Sequence, residues 1–531
     1  MHRFPFPSRA VARSTSGMLA SPHPLATAAG VDVLRRGGNA VDAAIAANAV
    51  LAVVYPASCG IGGDALWLVH EPRTGETVAY NGSGRASAAL DANALRERGL
   101  REMPLRGALT VTTPGCVRSW EDVAAAHGTR GLAELLAPAE GYARDGFVAT
   151  DVVAAYFALN EPLLQADSDA SAMFLARGLP RAGDLLHNVA LADTLRAIRR
   201  GGAAAFYGGA IGEAICATLH EHGNPMTLDD LRAQHTERME PLHIEWQGRE
   251  VYAHPPNSQA AVTLMILGAL RDDGAANESD WTHLAIEAIK EAFDLRDARF
   301  AEPAAMRAPI DDLLTPQALA AMRARLDPQR ARPRRHPVDR GGTIALVAVD
   351  REGRAVSLIE SLYMNFGSGL VARGTGVFLH NRGAYFSLEA GHCNELGGRK
   401  RPLHTLSPGM MLRDGYPEFV YGTMGGDGQP QTHAQLIHSV YERGMSVQQA
   451  IDAPRFVYGR DSDSPYVDSV RVESRFDERV VESLRERGHH VDVLGPYENV
   501  LGHAHAIVVD RERGTLAGGA DPRADSLALG L

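Results

Sequence analysis

The sequence predicts a layered α/β chain, and three stretches carry that prediction. Ala40 to Val53 is an alanine-rich helix with small side chains all round, able to lie close to neighbours on more than one side. Ile344 to Val349 and Ala355 to Ile359 are strand-like runs joined at Asp350-Arg351-Glu352-Gly353, which reads as a hairpin. A glycine-rich turn around Gly425 and Gly426 precedes Leu436, Ile437, Val440 and Tyr441, whose spacing predicts a helix starting just beyond Pro430.

Bulk properties narrow the function classes. The 531 residues are 45% hydrophobic and 22% charged, as in an ordinary globular protein, and length alone does not decide the number of domains. A net charge of −11 argues against a nucleic-acid or anionic-membrane partner. Cys59, Cys116, Cys216 and Cys393 show no zinc or redox spacing and read as buried thiols of a reducing compartment. No apolar run of signal-peptide length follows Met1 to Met18, and Val41 to Pro56 is too short and interrupted for a membrane span. The expected location is the cytoplasm.

Taken in order, Leu25 to Arg36 fits a helix closed by Gly37-Gly38, and Asn39 is placed to cap the next one. Cys59-Gly60-Ile61-Gly62-Gly63-Asp64 then leads into a strand, Ala65 to His70. Three glycines can cradle a phosphate, but that use needs a helix to follow, so a nucleotide site is disfavoured. Pro328 to Arg340 carries arginines at 330, 332, 334, 335 and 340 and prolines at 328, 333 and 337, which reads as a flexible, solvated linker.

Gly341-Gly342-Thr343 follows that linker and opens the first strand of the hairpin. In isolation Thr343 is explained as a strand start after a glycine turn. If the peptide bond before it is cut, its freed α-amino group, with a pKa of roughly 7.7–8.0, becomes a base for its own hydroxyl. That is the layout of an N-terminal-nucleophile precursor.

Gly38-Asn39-Ala40-Val41-Asp42-Ala43 and Gly60 to Asp64 resemble the opening signature of the gamma-glutamyltransferase family. The similarity continues through Ala137 to Gly146, Met226 to Leu231, Pro255 to Ser258 and the helix Thr282 to Phe300, essentially the whole chain. The resemblance implies a four-layer αββα sandwich of the N-terminal-nucleophile type. It implies one catalytic unit made as a single chain and cut between Gly342 and Thr343. The large subunit is 1–342, ending in a linker at about 328–342, and the small subunit is 343–531. Thr343 is then the nucleophile, Gly425 and Gly426 the oxyanion-hole pair, and Ser361 the supporting hydroxyl on the returning strand. Paired glycines suit that role because backbone N–H groups can approach the oxyanion unobstructed. The implied partners are a small-molecule amide, the two subunits for each other, and a second copy in a homodimer of heterodimers. No metal, organic cofactor, nucleic acid or membrane is implied.

Departures from the family pattern set the expected substrate. A family asparagine on the returning strand is matched by Tyr363, a Ser-Ser pair by His404 and Thr405, and an acidic pair before Phe386 by Ala384-Tyr385. Arg85 is the nearest match to a carboxylate-binding arginine, in a displaced register, and Ser387 to Lys400 is short where many members carry a lid. Arg85, Tyr363, His404 and Thr405 could hold a carboxylate, while nothing visible pairs with an ammonium. The expected activity is hydrolysis of a small or carboxylate-bearing acyl amide, resembling oxamate amidohydrolases and acylase-like members. The alternatives are a γ-glutamyl transferase and a self-cleaving, noncatalytic binding protein. His503-Ala504-His505 puts two imidazoles on one strand face, with no third metal ligand evident.

Overall fold

The alanine-rich helix runs Ala40–Val54, and its start is fixed locally. Asn39 Oδ1 accepts the N–H groups of Val41 and Asp42, and the Asp42 carboxylate accepts the Asn39 N–H at 2.9 Å, completing a capping box. Every residue of this helix is buried, against the neighbouring helices Pro24–Arg35 and Ala137–Asp145 and against a sheet. The structure, a computed structural model, describes residues 9–271, 275–333, 342–459 and 468–531.

Two seven-stranded sheets form the centre. One has the order Leu527–Gly530, Gly17–Ser21, Gly342–Asp350, Ala355–Tyr363, Asp64–Glu71, Glu76–Gly82, Glu237–Met239. The other runs Ala12–Ser14, Thr515–Ala520, Ala504–Asp510, Tyr416–Thr423, Gly409–Arg413, Arg249–Ala253, Leu242–Trp246. Met18, Leu68, Val347 and Val349 from the first sheet meet Met410, Val420 and Ile507 from the second in one apolar cluster between them. The helix Ala40–Val54 covers the outer face of the first sheet, Ala261–Leu270 and Gly428–Ile437 cover the second, and Glu278–Arg299 packs on Ala261–Leu270. The result is the expected αββα sandwich.

Period-two alternation assigns the faces of the strand Gly342–Asp350. Ile344, Leu346 and Ala348 pack toward the helices, whereas Ala345, Val347 and Val349 pack between the sheets. Thr343 shares the parity of the inter-sheet set. On the returning strand Ile359 lies between the sheets and Val356 and Leu358 on the helix side, so parity puts Ser361 on the inner face and Glu360 on the outer.

Some element bounds differ from the sequence reading. The helix expected beyond Pro430 begins at Gly428, because a proline is tolerated in a first turn whose N–H groups have no intrahelical acceptor. The helix expected from Thr282 begins at Glu278, where Asn277 caps it. Most of the basic linker, residues 334–341, lies outside the described residues. Its upstream end is docked: the Ala331 N–H donates to the Arg487 carbonyl at 2.7 Å, the Arg332 N–H to Glu287 at 3.0 Å, and Lys290 Nζ to the Arg332 carbonyl at 2.8 Å. Cys393 is half-buried, unlike the other three thiols. Among the described residues no helix is long and apolar enough to cross a membrane.

Candidate active site

An irregular strand pairing builds the site. Gly342 pairs with Tyr363 but Ile344 pairs with Glu360, so Thr343 faces both Ser361 and Leu362 across a β-bulge. Thr343 Oγ1 donates to Ser361 Oγ at 3.2 Å, and Ser361 Oγ donates to the Gly342 carbonyl at 2.5 Å. The Tyr363 N–H donates to the same Ser361 oxygen at 2.6 Å. One serine therefore bridges the Thr343 hydroxyl and the carbonyl of the peptide bond that precedes it. A Cβ on Gly342 would stand 2.3 Å from Asn365 Oδ1 and 3.2 Å from the Asn365 nitrogen, so a side chain there would displace the Asn365 amide.

The next strand contributes Asp64, which pairs with Ser361. Asp64 Oδ1 accepts the Gly84 and Gly115 N–H groups at 3.1 and 3.2 Å, and Oδ2 lies 3.2 Å from His404 Nε2 and 3.5 Å from His380 Nδ1. Burial opposes charge on Asp64, yet His380, His404 and Arg382 together hold its carboxyl below the usual range. Burial pushes His404 down to about 3, so its ring is neutral, with Nε2 directed at Asp64. His404 is thereby a strut on Asp64 rather than a free donor for substrate. The glycines before Asp64 serve packing: a Cβ on Gly62 would stand 2.1 Å from the Phe378 carbonyl, and one on Gly63 2.5 Å from the Ser361 carbonyl.

Gly425 and Gly426 face this strand end from the second sheet. Their φ values, +129° and +54°, lie where glycine is favoured. Their carbonyls accept the Gly428 and Gln429 N–H groups at 2.7 and 3.2 Å, opening the helix Gly428–Ile437, whose N-terminal end adds positive potential. Among the described residues the N–H groups of Gly425 and Gly426 have no acceptor. A Cβ on Gly425 would meet nothing closer than 3.8 Å. Gly342, Asn365, Met424, Gly425 and Arg106 line one cleft of about 340 Å³, so Gly342 and Gly425 share one space.

Charged and aromatic groups lie beyond Ser361 and Tyr363. Arg382 is 1% exposed, its Nη1 donates to Thr405 Oγ1 at 3.1 Å, and its Cζ lies 4.2 Å from the centre of the Tyr363 ring. The Thr405 carbonyl accepts Gln259 Nε2 at 3.1 Å, and the same amide donates to the Gly426 carbonyl at 3.0 Å. Asp427 accepts the Tyr385 hydroxyl at 2.8 Å and Arg296 Nη1 at 2.6 Å. Of the residues proposed to bind substrate, Tyr363 and Thr405 thus converge on Arg382. Arg85 stands in another cluster: Glu237 at 2.8 Å and Glu302 fill its guanidinium fork, and Arg401 shares Glu237 at 2.6 Å. Arg382, Gln259 and Asp427 were missed by sequence reasoning. Asp427 sits inside the glycine-rich motif, and the departure at Ala384-Tyr385 marked the segment holding Arg382, but neither signal singled out a side chain.

Among the described residues one trio of metal-ligand type converges: His283, Glu287 and His489, all buried. It lies at the base of the linker, where Glu287 already faces Lys290 at 3.0 Å and accepts the Arg332 N–H. His505 Nε2 lies 2.9 Å from Ser526 Oγ, and His503 precedes the strand Ala504–Asp510; neither belongs to a ligand trio among the described residues.

The similarity to known proteins extends along the chain. A model of the family described as Gamma-glutamyltranspeptidase matches residues 26–531. The chain belongs to the gamma-glutamyltranspeptidase family. It is 39% identical to the "Glutathione hydrolase-like YwrD proenzyme" of Bacillus subtilis and 38% identical to the "Oxamate amidohydrolase proenzyme" of Klebsiella pneumoniae. In both cases 97% of this chain and 99% of the relative are covered. The cephalosporin acylase from Bacillus halodurans matches 100% of this chain and 99% of its own, at 34% identity and a TM-score of 0.92. Members of this family are autoprocessed N-terminal-nucleophile amidohydrolases, and this chain is an enzyme of that class.

Proposed function

We propose that this family member cuts itself between Gly342 and Thr343 and then hydrolyses amides of small acyl groups that bear a carboxylate and no ammonium. In the first reaction Thr343 Oγ attacks the Gly342 carbonyl carbon while Ser361, bonded to both, relays the proton, accepting it from Thr343 Oγ as its own passes to the Gly342 oxygen. That proton then passes to the Thr343 nitrogen, the C–N bond breaks to leave a free α-amine and an ester on Oγ, and water hydrolyses the ester to release the Gly342 carboxylate and restore the hydroxyl. In the second reaction the amine accepts the Thr343 hydroxyl proton, Oγ attacks the substrate carbonyl, and the Gly425 and Gly426 N–H groups hold the oxyanion. The amine returns its proton to the leaving nitrogen. Water, deprotonated by the same amine, then frees the acid and restores Thr343.

The occupation of the buried and half-buried acids around the site carries the substrate reading; Glu498, which also lines the cleft, is exposed. Glu237 and Glu302 are engaged by Arg85 and Arg401, Asp427 by Arg296 and Tyr385, and Asp64 by two histidines and two backbone N–H groups. An α-ammonium entering among them would be buried without a counter-charge, which is costly. The names of the Klebsiella oxamate amidohydrolase and the Bacillus halodurans acylase accord with that reading. The test compares kcat/KM for γ-glutamyl anilide with that for glutaric monoanilide, which lacks only the α-amino group. The expected result is at least tenfold in favour of the glutaric amide; a tenfold preference for the γ-glutamyl compound would replace this reading with γ-glutamyl transfer or hydrolysis.

A further inference from the structure

Among the described residues Arg382 is a buried charge of the site with no carboxylate in contact: Asp64 and Asp427 act on it only from beyond ion-pair distance. Arg85, Arg296 and Arg401 each hold at least one carboxylate within 4 Å; among the described residues Arg382 holds none. Its Nη1 is used by Thr405 Oγ1, but its Nη2 has no hydrogen-bond partner among the described residues. Native proteins leave few buried donors unpaired, and an unpaired guanidinium edge is a costly group to hide. Burial pulls the Arg382 pKa below its ordinary value, although a guanidinium remains protonated at neutral pH.

Its surroundings fix where that edge lies. The face of the guanidinium stacks on Tyr363, with the Tyr385 ring centre 5.8 Å away. Tyr363 is anchored on the nucleophile side, through its N–H to Ser361 and its pairing with Gly342. Thr405 is anchored on the oxyanion side, through Gln259 to the Gly426 carbonyl. A chain of contacts, Thr343, Ser361, Tyr363, Arg382, Thr405, Gln259, Gly426, thus runs from the threonine to the glycine pair. Arg382 stands between its two halves. A planar guanidinium with a free edge matches a carboxylate better than any neutral head group.

We propose that Arg382 is the specificity-determining residue of the acyl pocket: its Nη2 edge receives the free carboxylate of a short dicarboxylic acid monoamide whose other carboxyl carbon is attacked by Thr343. This deepens the proposed function and rests on it. It names both the substrate class and the side chain that reads the class, and it displaces Arg85 from that role.

The test uses the processed enzyme and its Arg382→Gln and Arg382→Lys variants. The substrates are the monoanilides of malonic, succinic and glutaric acids, each beside a neutral anilide of equal chain length. In the wild type at least one acid is expected to exceed its neutral counterpart at least tenfold in kcat/KM. In Arg382→Gln that ratio is expected to fall to within about threefold of one, mainly through KM, and Arg382→Lys should retain an intermediate ratio. If the wild type shows the acid preference and Arg382→Gln keeps it, Arg382 is not the reader, although the proposed substrate class stands. If the wild type shows no acid preference, the substrate class itself fails and this inference falls with it. Complete self-cleavage of the variant serves as the folding control. If Arg382→Gln does not cut, Arg382→Lys decides: a ratio reduced at least threefold supports the assignment and an unchanged ratio overturns it.

Discussion

Arg85 and Arg382 look alike in the sequence and stand in opposite positions in the fold. Arg85 keeps 30% of its side chain exposed and is clasped by Glu237 and Glu302. Arg382 is fully buried, rests on Tyr363, and has an unclaimed Nη2. The difference teaches that a guanidinium's availability to a substrate is decided by which acids its tertiary neighbours bring to it. A motif can locate an arginine; only the fold says whether its fork is already filled.

The largest expected effect separates chemistry from recognition. Gly426→Ala puts a Cβ at φ +54° and should turn the backbone N–H out of line, lowering kcat by up to about 10²–10³, the usual cost of losing one oxyanion donor, while leaving the acid-to-neutral substrate ratio where the wild type has it. Full turnover in this variant would remove the glycine pair from the mechanism. Next in size is the collapse of that ratio, about tenfold, in Arg382→Gln. Arg85→Gln should then move the ratio less than threefold and cost up to about 1 kcal/mol of stability, as for a partly exposed ion pair. Were Arg85→Gln to abolish the acid preference and Arg382→Gln to spare it, the comparison would have to be reversed.

The smallest effect concerns the other face of the returning strand. Glu360 is buried on the helix side, accepts the Gly60 N–H at 3.1 Å and Asn48 Nδ2 at 3.4 Å, and burial pushes its carboxyl up to about 8. Because the folded state binds this proton more tightly than the unfolded chain, the stabilising contribution is complete below the unfolded value of 4.5. It is lost as pH rises toward 8. Glu360→Gln cannot ionise, so its Tm relative to the wild type should climb between pH 5 and pH 8. A flat Tm difference across that range would mean that the folded carboxyl is already charged.

Much of this architecture was legible beforehand. Alternation along Ile344 to Val349 and the polar turn at Asp350 to Gly353 specified the hairpin, and Asn39 specified the start of the long buried helix, because these are local rules. The bulge at Thr343 was not legible, since it depends on the register between two strands. His404 and Arg85 were assigned to substrate from their motifs, but the structure gives them Asp64 and Glu237 with Glu302 as partners. Those partners lie 340, 152 and 217 positions away along the chain. Arg382 escaped notice for a similar reason: its unpaired edge becomes visible only when Tyr363 and Thr405 are packed around it.

The central claim is that Thr343, freed at its amino end, carries the acyl group. Acid-quenching the enzyme during turnover of a slowly hydrolysed glutaric monoanilide, followed by intact-mass and peptide-mapping mass spectrometry, tests it directly. The expected result is two chains, the smaller beginning at Thr343, with the acyl mass added on that residue alone. Turnover by an uncut 531-residue chain, or an acyl group mapped to any other residue, would contradict the account.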